Sequence, residues 1–122
     1  MQLEKLDIKE DRRGLLVEAF RLPQDGQVFY VKVLPNEIRG NHYHTRKIEK
    51  FLVIDGTAEM SVKNRVTEDI MRVEVNSHKP MLITVVPNHT HCIQAGERGC
   101  IFLVWASEIF NKDDPDTIEE EI

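Results

Sequence analysis

The sequence predicts an all-β chain, and three observations predict it. Short runs rich in β-branched and aromatic residues recur along its length, the spacers between them carry Asp, Gly, Asn and Pro, and no segment combines helix caps with a 3.6-residue apolar period. Seven or eight strands at such spacing make a sandwich or a barrel. With 122 residues, 41% of them apolar and 30% charged, the chain is expected to be a single domain, 1–122, around one core.

The elements follow in order. After the turn "DRRG", the run "LLVEAF" is the first strand, and "LPQDG" separates it from "QVFYVKVL". On that second strand Tyr30 and Lys32 share one face, with Val31 and Val33 on the other. The spacer "LPNEIRGN" leads into the histidine-bearing stretch "GNHYH". Then come "EKFLVID" and "AEMSVK", divided at Gly56, followed by "EDIMRVEV", "MLITVVP", "HCIQA" and, after "AGERG", "CIFLVWASEIF". Phe102 and Trp105 in the last run are expected to be packing residues, because that run is nearly all apolar. The tail 111–122, "NKDDPDTIEEEI", is expected to be an acidic, solvated C-terminal extension.

Composition excludes several function classes. A formal charge of -5 provides no basic field for nucleic acid or an anionic membrane surface. The N-terminus has no apolar signal core, and no run reaches the roughly 18 apolar residues that cross a bilayer, so a cytoplasmic location is expected. Cys92 and Cys100 form neither a C-x-x-C pair nor a disulfide framework and read as small apolar fillers. There is no G-x-G-x-x-G, P-loop or H-E-x-x-H.

The chemistry concentrates in "GNHYHTRKIEKFLVIDG". Residues i and i+2 of a strand point to one side, so His42 and His44 project together, and Glu49 shares a face with Phe51 and Val53 on the next strand. A second H-x-H pair, His89 and His91, follows Pro87. Imidazole nitrogens and a carboxylate oxygen suit zinc, with iron, manganese or nickel as further first-row candidates, and such a set leaves positions open on the ion. Spacing alone does not choose between His89 and His91 as the third imidazole. Asn88 is a residue that accepts positive φ, which suits a turn before the pair.

The run G-x-H-x-H-x-x-x-x-E-x-x-x-x-x-x-G, ending at Gly56, resembles the first motif of the cupin superfamily, and "VVPNHTH" resembles the second. The resemblance implies an antiparallel jelly-roll barrel with His42, His44, Glu49 and His91 as metal ligands. Within that superfamily, "DRRGLLVEAF" resembles the opening of dTDP-sugar 3,5-epimerases and 3,4-ketoisomerases. "RGNHYHTRKIEKFLVIDGTAEM" and "VWASEIFNKDDPDT" are similar to the C-terminal cupin domain of bifunctional capsular-polysaccharide reductases. The implied activity is epimerisation or isomerisation of a nucleotide-linked 4-keto-6-deoxy sugar in polysaccharide biosynthesis, with a separate reductase as the expected partner. Two further readings are an iron-dependent cupin oxygenase and a non-catalytic sugar-binding cupin.

Proton abstraction beside a ketone needs a base, for which His89, Lys50 and Tyr43 are the candidates. A diphosphate needs cations: Arg39 and Arg46 flank the motif, and Lys32 and Tyr30 are candidates for the cavity wall. Exposed sheet edges in so small a fold lead to the expectation of a homodimer.

Overall fold

The computed structural model describes residues 1–20, 22 and 24–122. Its strands are β1 (Gln2–Lys5), β2 (Ile8–Asp11), β3 (Gly14–Val17), β4 (Gln27–Val33), β5 (Ile38–Tyr43), β6 (Glu49–Asn64), β7 (Ile70–Asn76), β8 (Met81–Val85), β9 (His89–Ala106) and β10 (Ile118–Glu119). All pairings among the described residues are antiparallel. The all-β expectation therefore holds.

Two strands organise the rest. β6 has 16 residues and β9 has 18, and they pair with each other along nearly their whole length. The sequence reads as two strands in each place because Gly56 and Gly99 resemble turn signals. Both have positive φ, 76° and 77°, but they bend the ladder at register shifts without ending it. A Cβ at Gly56 would collide with the Gly99 carbonyl, so this close crossing requires glycine.

Beyond the bend, β6 and β9 change partners. One layer runs β1-β8-β6-β9-β4, and the other runs β7-β6-β9-β5-β10. Apolar side chains from both meet in one core: Phe51, Val53, Ile83, Phe102 and Val104 from the first pack with Ala58, Met60, Val62, Val75 and Ile93 from the second. Burying each large side chain of this kind stabilises the fold by about 1.5–3 kcal/mol. Trp105 and Phe102 are buried, as expected of packing residues.

The expected jelly-roll barrel is corrected by the strand order. The hydrogen-bonded path starts at β1 and ends at β10, and no pairing among the described residues joins its edges, so the sheet is not closed into a barrel. The reason lies in β6 and β9: bending them brings the layers face to face by side-chain packing, which removes the need for closure by edge pairing. The β2–β3 hairpin stands apart as a separate sheet, with Leu15 and Leu16 exposed. Its "DRRG" turn is fastened by the Asp11 carboxylate, which accepts from the Arg13 amide at 2.8 Å.

The tail also differs from the solvated extension expected. Residues Ile118 and Glu119 pair with Tyr43 and His42 as β10, and Asp116 is buried.

Candidate metal centre

The bend between the layers leaves a cavity of about 440 Å³, lined from β4, β5, β6 and β9. Its inner wall is apolar, with Phe51, Met60, Ile93, Phe102 and Val104. At one end stand His42, Glu49 and His91.

Local irregularity brings these groups together. β5 and β9 lose register between Gly40 and His42, and the extra residue, Asn41, has φ of 57°. That bulge sets His42 directly opposite His91. Gly40 permits it, since with φ of 103° a Cβ there would lie 2.8 Å from the His91 carbonyl oxygen. Asn88 adopts φ of 63°, the turn conformation its residue type favours, and its amide donates to the His44 carbonyl at 2.8 Å.

His42, His44, Glu49 and His91 each offer a ligand atom, and these atoms all lie within 4.8 Å of one another. Ring centroids are 4.9 Å apart for His42 and His91, 5.0 Å for His42 and His44, and 5.3 Å for His44 and His91. His44 and His91 are 5% and 2% exposed, and the Glu49 side chain 13%.

The hydrogen bonds define what the cluster presents. His44 Nδ1 donates to the Asp116 carbonyl at 2.6 Å and His91 Nδ1 to the His89 carbonyl at 3.1 Å, because a carbonyl only accepts. With Nδ1 donating, Nε2 of each ring carries a lone pair unless it takes a proton, and the two Nε2 atoms lie 2.8 Å and 3.0 Å from Glu49 Oε1. The His91 contact lacks hydrogen-bond alignment, so its buried Nε2 is unsatisfied. Lone pairs facing a carboxylate need a cation between them, which is a proton or a metal ion.

The acid–base behaviour agrees with this geometry. Burial pushes the His42 imidazole down to about 4, assisted by His91 and His44. For His44 burial also opposes charge, but the Glu49 carboxylate and the Asp116 carbonyl outweigh it and raise the pKa. Burial alone would raise Glu49, yet its contacts with His44 and His91 hold the carboxyl down at about 2. Three imidazoles and an ionised carboxylate, with two Nδ1–H groups held from outside, fit a divalent transition metal.

The other sequence candidates divide. Arg39, Lys32 and Tyr30 line the cavity. Tyr30 and Lys32 do so from exposed positions on the rim, while Val31 and Val33 on the other face of β4 are half-buried and buried. Arg46 turns away, to Glu108 at 3.2 Å and Asp114 at 3.2 Å. None of the three candidate bases lines the cavity. His89 Nδ1 rests on the Pro87 carbonyl at 3.0 Å, Lys50 Nζ donates to Thr84 Oγ1 at 3.3 Å in a different depression, and the Tyr43 ring lies under Arg65 at 3.7 Å.

Sequence reasoning missed Asp116. Its carboxylate accepts from the amides of Thr45, Arg46 and Lys47 at 2.8, 2.9 and 3.0 Å, and these contacts hold its pKa far below the usual carboxylate range despite burial. Pro115 before Asp116 and Thr117 signals a turn, but nothing local in the sequence shows that this turn caps the β5–β6 connection.

Comparison with known proteins gives the family. The chain matches the family model of the polysaccharide biosynthesis C-terminal domain over residues 9–118. It belongs to that family. A curated relative of this C-terminal domain, UDP-2-acetamido-2,6-beta-L-arabino-hexul-4-ose reductase of Pseudomonas aeruginosa, is 36% identical over 108 residues, which cover 88% of the chain and 29% of the relative. Among solved structures, the capsular polysaccharide assembling protein CapF from Staphylococcus aureus superposes with a TM-score of 0.76 at 30% identity, covering 98% of this domain and 33% of CapF. The chain thus spans about a third or less of these two relatives. The sugar 3,4-ketoisomerase QdtA from Thermoanaerobacterium thermosaccharolyticum, solved with TDP, superposes with a TM-score of 0.81 at 23% identity over 98% of this domain and 87% of QdtA, a likeness of fold. The fold is cupin-like and is shared with this ketoisomerase. No helix among the described residues is long and apolar enough to cross a membrane.

Proposed function

We propose that this polysaccharide biosynthesis C-terminal domain is a metal-dependent epimerase or isomerase that acts on a nucleotide-linked 4-keto-6-deoxy sugar. The observation that carries the reading is the convergence of His42, His44, Glu49 and His91 at the end of a cavity with an otherwise apolar inner wall. Zinc suits three imidazoles and one carboxylate. When bound, such an ion supplies Lewis-acid stabilisation of negative charge on a substrate oxygen.

The chain's own residues do the rest. Phe51, Met60, Ile93, Phe102 and Val104 exclude water around the sugar and offer no hydrogen bond to a 6-hydroxyl, which favours a deoxy carbon there. Arg39 and Lys32 at the rim meet the diphosphate through charge-assisted hydrogen bonds. Proton abstraction needs a group in contact with the sugar. Outside the cluster, Tyr30 is the cavity-wall side chain with an exchangeable proton that the diphosphate does not engage, so the exchange is assigned to its hydroxyl, acting as the phenolate. An oxidoreductase that consumes the ketone is the companion this reading calls for. A homodimer is proposed from the exposed Leu15, Leu16 and Val28, with sedimentation as its check.

The test is deuterium wash-in. The protein is incubated in D2O with a UDP- or dTDP-linked 4-keto-6-deoxy sugar, with and without chelator. Chelator-sensitive label on the carbon beside the ketone is expected; no label in metal-loaded protein with either sugar overturns the reading.

A further inference from the structure

The segment 116–122 supplies none of the four clustered side chains, yet it touches a sequence neighbour of every imidazole among them. Beside His44, the Asp116 carboxylate accepts from the Thr45 amide and hydroxyl and from the next two amides, while its own carbonyl takes His44 Nδ1–H. The adjoining Lys47, itself buried, donates to the Pro115 carbonyl at 2.8 Å. Beside His42, the Glu120 amide donates to the Asn41 carbonyl at 2.9 Å and the Ile122 amide to Asn41 Oδ1 at 3.3 Å, and Ile118 pairs with Tyr43. Beside His91, the fully buried Thr90 donates its hydroxyl to Glu120 at 2.8 Å. Arg65 locks this end: it donates to Glu120 at 3.0 Å and to Asn88 at 2.7 Å and stacks on Tyr43.

His42 lies on a bulge, His44 and Glu49 flank a turn, and His91 follows a positive-φ residue. Regular sheet pairing holds His91 and Glu49 from both sides but leaves His42, beside the bulge, and His44, past the end of β5, less constrained. The same short segment fastens all three histidine-bearing stretches.

We propose that the segment 116–122 is a strap that sets the metal affinity of the cluster, with Asp116 and Glu120 as positioning residues. The Asp116 carbonyl fixes the tautomer of His44 while its carboxylate caps the following turn and so sets the ring's orientation, and Glu120 holds the His42 and His91 strands together. Outer contacts of this kind change metal affinity by about 10–100-fold. Linkage requires the reverse as well: an ion in the cluster tightens the strap by the same factor.

This inference rests on the metal reading, and the experiment separates the two. Zinc affinity of the full chain is measured by competition with a chromogenic chelator, alongside amide hydrogen exchange with and without zinc. The expected affinity order is wild type, then Asp116→Asn, which keeps one acceptor oxygen, then Asp116→Ala, with about a tenfold or greater loss for alanine. Glu120→Ala, at the solvent side of the strap, is expected to weaken binding by about three- to tenfold and serves if Asp116→Ala does not fold. In the wild type, zinc is expected to slow exchange at the amides of Thr45, Arg46, Lys47 and Glu120 more than at those of β1 and β8. A folded chain that binds no zinc overturns the metal reading and the strap with it. Zinc bound with unchanged affinity in the folded variants, or uniform protection that includes β1 and β8, overturns the strap alone.

Discussion

Gly40→Ala puts the construction of the site under direct load. Gly40 has φ of 103°, a conformation an L residue holds at a cost of about 1–3 kcal/mol. The added Cβ would stand 2.8 Å from the His91 carbonyl oxygen and 3.0 Å from Cys92 Cα. Both are backbone atoms of β9 and neither can rotate aside, so the β5–β9 pair must open, at an overpacking cost of about 1–3 kcal/mol. The two terms sum to about 2–6 kcal/mol, and at about 4 °C per kcal/mol for a domain of this size the Tm is expected to fall by roughly 8–24 °C. The same opening separates His42 from His91, so zinc affinity is expected to drop by at least about tenfold. Thermal unfolding of the metal-free protein followed by circular dichroism, with chelator competition for zinc, measures both. A Tm within about 2 °C of wild type together with unchanged zinc affinity would refute the reasoning, since the clash would then be relieved without moving either strand.

Other outcomes follow from the same contacts. Glu49 and Asp116 both hold pKa values below the unfolded carboxylate range of about 4. Their stabilisation is therefore present above that range and is lost as pH falls through the folded values. Denaturant midpoints of the metal-free protein should decline between about pH 5 and 2, and Asp116→Asn should lower the neutral-pH stability by about 1–3 kcal/mol while flattening that decline. An unchanged slope in the variant would contradict the assignment. Arg39→Ala is expected to raise KM for the nucleotide sugar about tenfold or more with little change in kcat, as removal of a diphosphate contact would; a loss confined to kcat would argue against it. Met60→Ala, at a fully buried position, should cost about 2–5 kcal/mol in chemical denaturation.

What was legible in the sequence was local. The placing together of His42 and His44 carries over into the structure, although His44 lies one residue past the end of β5, and Glu49 and Phe51 keep their shared face because side-chain alternation is intrinsic to a strand. Asn88 takes the positive φ its residue type favours. Three features were not legible, because each depends on a partner distant in the chain. Gly56 and Gly99 look like strand ends and are bends within β6 and β9, a distinction made only by the ladder that continues across them. Open layers and a closed barrel call for the same alternating pattern, so edge pairing is invisible in one sequence. Asp116 looks like one more acid in an acidic tail until it meets the amides of residues 45–47.

The same distance effect governs the catalytic candidates. Tyr43 and Lys50 have the parity of the face away from Glu49 and Phe51, and the structure keeps them there, under Arg65 and beside Thr84. His89 shares parity with His91 but sits at the start of β9, turned to Pro87. Arg39 and Lys32 reach the cavity because β4 and β5 both pair with the same edge of β9, a fact of topology.

The most direct test of the metal centre is zinc stoichiometry in the metal-stripped full chain, compared with His91→Ala and His89→Ala. One ion per chain is expected in the wild type and in His89→Ala, with tight binding abolished in His91→Ala. No tight site in the wild type, or loss in His89→Ala with retention in His91→Ala, would contradict the cluster as the metal centre.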